Sequence, residues 1–219
     1  MSVIVHTIKQ RLTKRARKTI GSVRSLLGLS YASRLGETDV FNLLRGKTVA
    51  LVGNAASLST AAYGAAIDAH DVVIRFNASP LLSAVSHGAR TTIIATSIII
   101  GPDLVEERRA VHVFFMSPKP KYLPGWLVNR PDFFLFPAAS HAALMNEVGA
   151  RPTTGMMMID LLRRSPCAAV DLYGFDFFSS ASLSNVRPPK ASPHDFASER
   201  DIVVRLSADD SRFQLHRPS

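Results

Sequence analysis

Read for hydrophobic and polar positions, the chain changes character at residue 48. Beyond it, short apolar runs alternate with longer segments of helical period. The runs are 48–52 (TVALV), 71–76 (DVVIRF), 91–96 (TTIIAT), 111–116 (VHVFFM), 133–136 (FFLF) and 168–173 (AAVDLY). They are rich in β-branched and aromatic residues and lack a continuous polar face, which predicts strands buried on both sides. Helical spacing is clearest over 60–69, 140–149, 155–164 and 194–207. Strands alternating with helices predict an α/β fold: a Rossmann-like, doubly wound, mostly parallel sheet in a single domain. The segment 179–193 (SSASLSNVRPPKASP) is rich in Ser and Pro and predicts a long loop, of the kind that serves as a lid or binding loop.

Ahead of residue 48 the pattern is different. Ile4, Ile8, Leu12, Ala16 and Ile20 recur every four residues, which places them along one side of a helix with Lys and Arg elsewhere around it. Charge sharpens this. The net charge of the chain is +9, and residues 1–47 carry +8 of it, ten Lys and Arg against Glu37 and Asp39. The chain therefore divides into a basic amphipathic arm, 1–47, and a nearly neutral domain, 48–219. Such a helix either lies on an anionic membrane surface through residues 1–28, gaining roughly 1 kcal/mol per Lys or Arg near it, or docks on the domain as a solvated helix. Nucleic acid is not an expected partner, because the arm lacks interleaved aromatics and the body has no basic stripe. No stretch approaches the roughly 18 consecutive apolar residues of a membrane span, and the N-terminus lacks the features of a secretory leader. The single cysteine, Cys167, cannot form an intramolecular disulfide. The expected location is cytoplasmic, with peripheral attachment to the inner membrane face if the arm binds lipid.

In open α/β sheets, ligands sit outside the carboxyl ends of the strands. The residues there are Gly53-Asn54-Ala55-Ala56-Ser57, Asn77, and Gly174-Phe175-Asp176, with Thr153-Thr154-Gly155 just ahead of a predicted helix. Small residues admit a ligand to the backbone, and free amides at a helix start attract phosphate. The bend at 53–57 is thus expected to offer amides and short polar side chains to an anion. No G-x-G-x-x-G or Walker sequence is present, which argues against hydride transfer and P-loop ATP hydrolysis. No D-x-D and no Cys/His cluster with metal-ligand spacing occurs either, so no metal ion or other cofactor is expected.

The stretch 192–199 (SPHDFASE) reads as a capped helix start, with Ser192 as N-cap, Pro193 first and Asp195 closing a capping box. His194 then falls in the first turn, where the helix dipole disfavours positive charge and keeps the imidazole able to accept a proton. A general base and an ordinary solvent-facing histidine both fit this placement. Glu199, five residues on, lies off the face of His194 in an ideal helix. It reaches His194 only if the helix starts later or the contact crosses a turn. The other six histidines read as structural.

With these residues in view, the chain resembles the sialyltransferases of glycosyltransferase family 29. Residues 49–80 (VALVGNAASLSTAAYGAAIDAHDVVIRFNASP) are similar to that family's large motif. Residues 151–178 (RPTTGMMMIDLLRRSPCAAVDLYGFDFF) are similar to its small motif, and HDFASE to its very small one. The resemblance implies a variant of the GT-A-like fold and a CMP-sugar donor bound by Gly53, Asn54, Ser57, Asn77, Thr153, Thr154 and Gly155. It implies His194 as catalytic base, with Glu199 as its partner in the motif. The reaction implied is inverting, metal-independent transfer to a hydroxyl of a glycan or glycolipid.

Departures from the family pattern are specific. Val49 stands where the family has a cysteine paired to the position of Cys167, Ser57 replaces the second asparagine of the large motif, and no aromatic- and His-rich motif stands out in 179–193. With these departures, the resemblance implies as donor sugar a sialic acid or, alternatively, a related 3-deoxy-ulosonic acid such as Kdo, and a membrane-bound arm would suit a lipid-linked acceptor such as lipopolysaccharide or capsule. The alternative is a degenerate relative that binds nucleotide or membrane without turnover.

Overall fold

The computed structural model describes residues 16, 19–20, 23, 31–118, 120, 122–176 and 193–217. Ile4, Ile8 and Leu12 of the arm, the cap expected at Ser192 and the Ser/Pro-rich loop up to 192 lie outside the described residues. Ala16, Thr19, Ile20 and Val23 are helical and exposed.

Among the described residues, seven strands form one sheet: β1 (Thr48–Val52), β2 (Val72–Phe76), β3 (Ile93–Thr96), β4 (His112–Phe115), β5 (Phe133–Leu135), β6 (Ala169–Tyr173) and β7 (Phe213–His216). Their order is β5-β4-β3-β2-β1-β6-β7, and every pairing is parallel. The six strands expected from the apolar runs are all present, each within two residues of its expected bounds. The seventh, β7, escaped notice because it is a four-residue edge strand with a buried Phe213 and an exposed Gln214.

Alternate strand residues feed opposite faces, as the two-residue period of a strand requires. On one face, Val49, Leu51, Val72, Ile74, Val170 and Leu172 pack under α1 (Glu37–Leu44), α6 (Ala138–Val148), α7 (Thr154–Arg164) and α8 (Phe196–Asp209). On the other, Ala50, Val52, Val73 and Tyr173 pack beneath a 3₁₀ turn, Ala56–Thr60, and α2 (Gly64–Ala69). Farther along that face lie α4 (Pro102–Glu107) and α5 (Gly125–Val128), while the short α3 (Ala84–His87) abuts α2. Helices on both faces explain why the strands carry no polar side, and they make the sheet doubly wound.

Three boundaries differ from expectation. The helix expected over 60–69 is broken at Ala61, whose extended backbone ends the 3₁₀ turn before α2 begins. The helix expected from 194 begins at Phe196, because the carboxylate of Asp195 caps it by accepting from Ala197 N and Ser198 N. The inner end of the arm also moves. Val40 and Leu44 of α1 are fully buried in the main core, and Leu35 bridges to Phe134, so residues 35–44 belong to the packing of the domain.

Candidate active site

The chain leaves β1 toward β2 and leaves β6 toward β7, on opposite sides, so the topological switch point falls between β1 and β6. The bend after β1 meets the bend after β6 there. Gly53 N donates to Tyr173 O (2.7 Å) and Ala55 N to Gly174 O (3.2 Å). A Cβ on Gly53 would overlap the Gly174 carbonyl. The glycine is therefore demanded by backbone packing, and two of the amides expected to face an anion are already used. Ser57 donates to Asp176 Oδ2 (3.2 Å), which sets a carboxylate beside the bend. This end of the crevice is a poor place for phosphate. Asn54 is half-buried between the two.

Better donors converge one strand farther along. Asn77 ends β2 in the left-handed region (φ 51°), which asparagine tolerates. Its Oδ1 accepts from Ser97 N (3.2 Å) at the end of β3, with Thr96 Oγ1 at 3.1 Å. A backbone N–H can only donate, so the oxygen must face it and Nδ2 must turn away. Ser97 Oγ lies 2.8 Å from Thr154 Oγ1, the first residue of α7. Thr153 caps α7 by accepting from Met156 N, while the amides of Thr154 and Gly155 have no partner among the described residues. Gly155 is small for a packing reason as well, since a Cβ there would sit 3.1 Å from the ring of Phe175. Asn77 Nδ2, two helix-start amides and a hydroxyl pair make a group of donors suited to an anion. Ser97 was invisible to motif reading, because one serine after a strand carries no pattern.

The segment 151–153 then holds His194 and Glu199. His194 lies just outside α8 and not in its first turn, so the helix-dipole argument does not apply to it. A direct contact takes its place. Nδ1 lies 2.7 Å from Arg151 O, and a carbonyl can only accept, so Nδ1 donates to it and Nε2 is the position that carries the lone pair in the neutral form of the imidazole. Glu199 bonds the neighbouring residue with both oxygens: Thr153 N donates to Oε1 and Thr153 Oγ1 to Oε2, each at 2.7 Å. It is 4% exposed. Burial pushes its carboxyl up to about 7, against the opposing pull of the two Thr153 bonds. The late helix start that would let Glu199 approach His194 is observed, yet the connection runs through the backbone: His194 holds Arg151 and Glu199 holds Thr153. Arg151 is a further residue that sequence reading missed, since its contribution is a carbonyl.

The structure thus brings Asn77, Thr153, Thr154, Gly155, His194 and Glu199 into one connected group, and sets Gly53, Asn54 and Ser57 at the neighbouring strand end. A cavity of about 340 Å³ between α6 and α7 lies elsewhere. Its Arg163 and Arg164 are paired with Asp160, Glu147 and Glu37, so it offers no open charge to a ligand.

Comparison with known proteins agrees with this architecture. Residues 11–130 match the family model of glycosyltransferase family 29 (sialyltransferase). A mammalian sialyltransferase in complex with Gal-beta-1-3GalNAc-ortho-nitrophenol superposes with a TM-score of 0.60 at 20% identity, over 83% of this chain and 73% of that one. The sialyltransferase CstII from Campylobacter jejuni, in complex with cytidine-5'-monophosphate, superposes with a TM-score of 0.52 at 16% identity, over 80% and 82%. At such identities the likeness establishes the fold. No curated protein matches by sequence comparison.

Proposed function

The chain belongs to glycosyltransferase family 29, the sialyltransferase family, and on that premise we propose that it moves a sialic acid or a related 3-deoxy-ulosonic acid such as Kdo from a CMP-sugar to a glycan hydroxyl, with inversion and without a metal ion. The observation that carries this is the hydrogen bond from His194 Nδ1 to Arg151 O, which leaves Nε2 as the proton acceptor. In the proposed step, Nε2 takes the proton from the acceptor hydroxyl as its oxygen attacks the anomeric carbon. The bond from that carbon to the phosphate oxygen breaks, and CMP leaves with the electron pair. Attack opposite the leaving group inverts the anomeric centre.

The charge that develops on the phosphate calls for donors already aimed at it. Asn77 Nδ2 and the Thr154 and Gly155 amides fill that role, which places the phosphate nearer α7 than the bend at 53–57. Asn54 and Ser57 line the other end of the donor. Glu199 acts through Thr153 as a positioning residue. Neutral donors of this kind stabilise the leaving group without a cation. The amphipathic arm suits attachment to an anionic inner-leaflet surface, and hence a lipid-linked acceptor such as lipopolysaccharide or capsule. No helix of the described residues is long and apolar enough to cross a membrane.

The test is release of CMP from CMP-sialic acid and CMP-Kdo, with and without a mixture of glycan acceptors. Wild type should turn over one donor in the presence of a chelator, and the product should show the inverted anomer by NMR. His194→Ala should lose about 10²–10⁴-fold in rate while binding CMP within about twofold of wild type. Loss of CMP binding in a folded His194→Ala variant, or a rate restored only by divalent metal, would overturn the assignment.

A further inference from the structure

We propose that Ser97 is a positioning residue for the donor phosphate, holding the Asn77 amide and the start of α7 at a fixed separation. This rests on the CMP-sugar reading above. Ser97 follows β3 and belongs to none of the motif-like segments, yet among the described residues it bonds to both sides of the donor group. Its N–H fixes Asn77 Oδ1 (3.2 Å) and so turns Nδ2 outward, while its Oγ meets Thr154 Oγ1 (2.8 Å). The first contact belongs to the backbone and is indifferent to the side chain. The second belongs to the side chain alone and spans from the sheet to the helix.

That second bond also orders protons. Two hydroxyls in mutual contact use one hydrogen between them and leave the other to point elsewhere. The Ser97–Thr154 pair therefore contributes a donor beside Asn77 Nδ2 and the Thr154 and Gly155 amides. Thr96 cannot stand in for it. Thr96 is 0% exposed, and its hydroxyl is engaged with Ile98 O (2.8 Å), Ile98 N (3.2 Å) and Asn77 Oδ1 (3.1 Å). Ser97 is half-buried just past the carboxyl end of β3, and threonine keeps the hydroxyl there.

The experiment is calorimetric titration of the full chain with CMP and with cytidine, which lacks the phosphate. Ser97→Ala should weaken CMP binding about fivefold, the worth of one hydrogen bond, and leave cytidine binding within about twofold. Ser97→Thr should restore CMP affinity to within about twofold. Thr154→Val should match Ser97→Ala, and the double variant should lose no more than either single one, because both remove the same bond. Equal weakening of CMP and cytidine, unchanged CMP binding, or fully additive losses would each overturn the proposal while leaving the donor reading in place. A folded wild type that binds no CMP would overturn the donor reading and this proposal together.

Discussion

Glu199→Gln should make the protein more stable at pH 8 and slightly less stable at pH 4.5. Glu199 is 4% exposed, and burial raises its carboxyl from the usual 4.5 to about 7. The sign follows from proton counting. Between these values the native state holds a proton that the unfolded chain has released, so this group's contribution falls as pH rises through the window. The gap corresponds to roughly 3 kcal/mol lost between pH 4.5 and pH 8. Gln keeps the shape and cannot ionise. Its carbonyl still accepts from Thr153 N, while its NH₂ must donate to Thr153 Oγ1, which reverses one bond and costs about 1 kcal/mol at every pH. The variant should therefore gain about 2 kcal/mol over wild type at pH 8 and lie up to about 1 kcal/mol below it at pH 4.5. Urea unfolding at both pH values reads this directly, followed through the single tryptophan, Trp126, which packs against the α4–α5 core. A wild-type-to-variant difference that stays constant with pH, or a variant weaker than wild type at pH 8, would show that the Thr153 bonds outweigh burial.

Gly53→Ala should cost roughly 2–3 kcal/mol of stability in the same urea assay, because its Cβ overlaps the Gly174 carbonyl. Unchanged stability would restore ligand approach as the reason for this glycine. Deleting residues 1–28 should release the protein from phosphatidylserine-containing vesicles in a sedimentation assay while sparing CMP-sugar turnover; a folded but inactive truncation would make the arm structural. Added salt should weaken vesicle binding of the full chain, since attraction of its basic arm to the surface is screened within about 8 Å at physiological ionic strength.

What could be read from the chain was what has a period. Strands buried on both faces announce themselves as unbroken apolar runs, so β1 to β6 were legible, whereas β7 and the short α3 to α5 are too brief to show a repeat. The connected group of the candidate site was legible where side chains carry it, at Asn77, Thr153, Thr154, His194 and Glu199. It was illegible where backbone carries it. The carbonyl of Arg151 sets the tautomer of His194, and any residue there could supply one. The bend at 53–57 misled for a related reason. A glycine needed so that two backbones can touch looks, in sequence, the same as one needed so that a ligand can approach.

The most patterned stretch of the chain, the YG…ID.HD..IR.N skeleton, turns out to be mostly scaffold. Tyr63 donates to Arg217 O, and a Cβ on Gly64 would overlap the backbone of α3. Asp68 accepts from Ala89 N and Arg90 N, His70 contacts Asp171, and Asp71 accepts from Thr48 N. Arg75, whose guanidinium burial lowers to about 10, donates to the carbonyls of His87 and Arg90. Of the skeleton, only Asn77 faces the donor group. A fully parallel sheet brings its strand ends together only if every crossover is held. Gly64, Asp68 and Arg75 hold the crossover from β2 to β3 that delivers Ser97 beside Asn77, while Tyr63, His70 and Asp71 tie the α2 crossover to Arg217, β6 and β1. The contacts that the proposed mechanism uses are concentrated instead on five residues, 151 to 155. Arg151 O holds His194, Thr153 takes Glu199 and caps α7, Thr154 meets Ser97, and Gly155 fits beneath Phe175. Because the proposed base and the proposed phosphate donors hang from one short segment, a displacement there moves both at once. A displacement in the large motif reaches the donor side alone, through Asn77. Variants in 151–155 should therefore lower turnover and CMP affinity together, and variants of the skeleton should lower affinity and stability while leaving the turnover of donor-saturated enzyme intact.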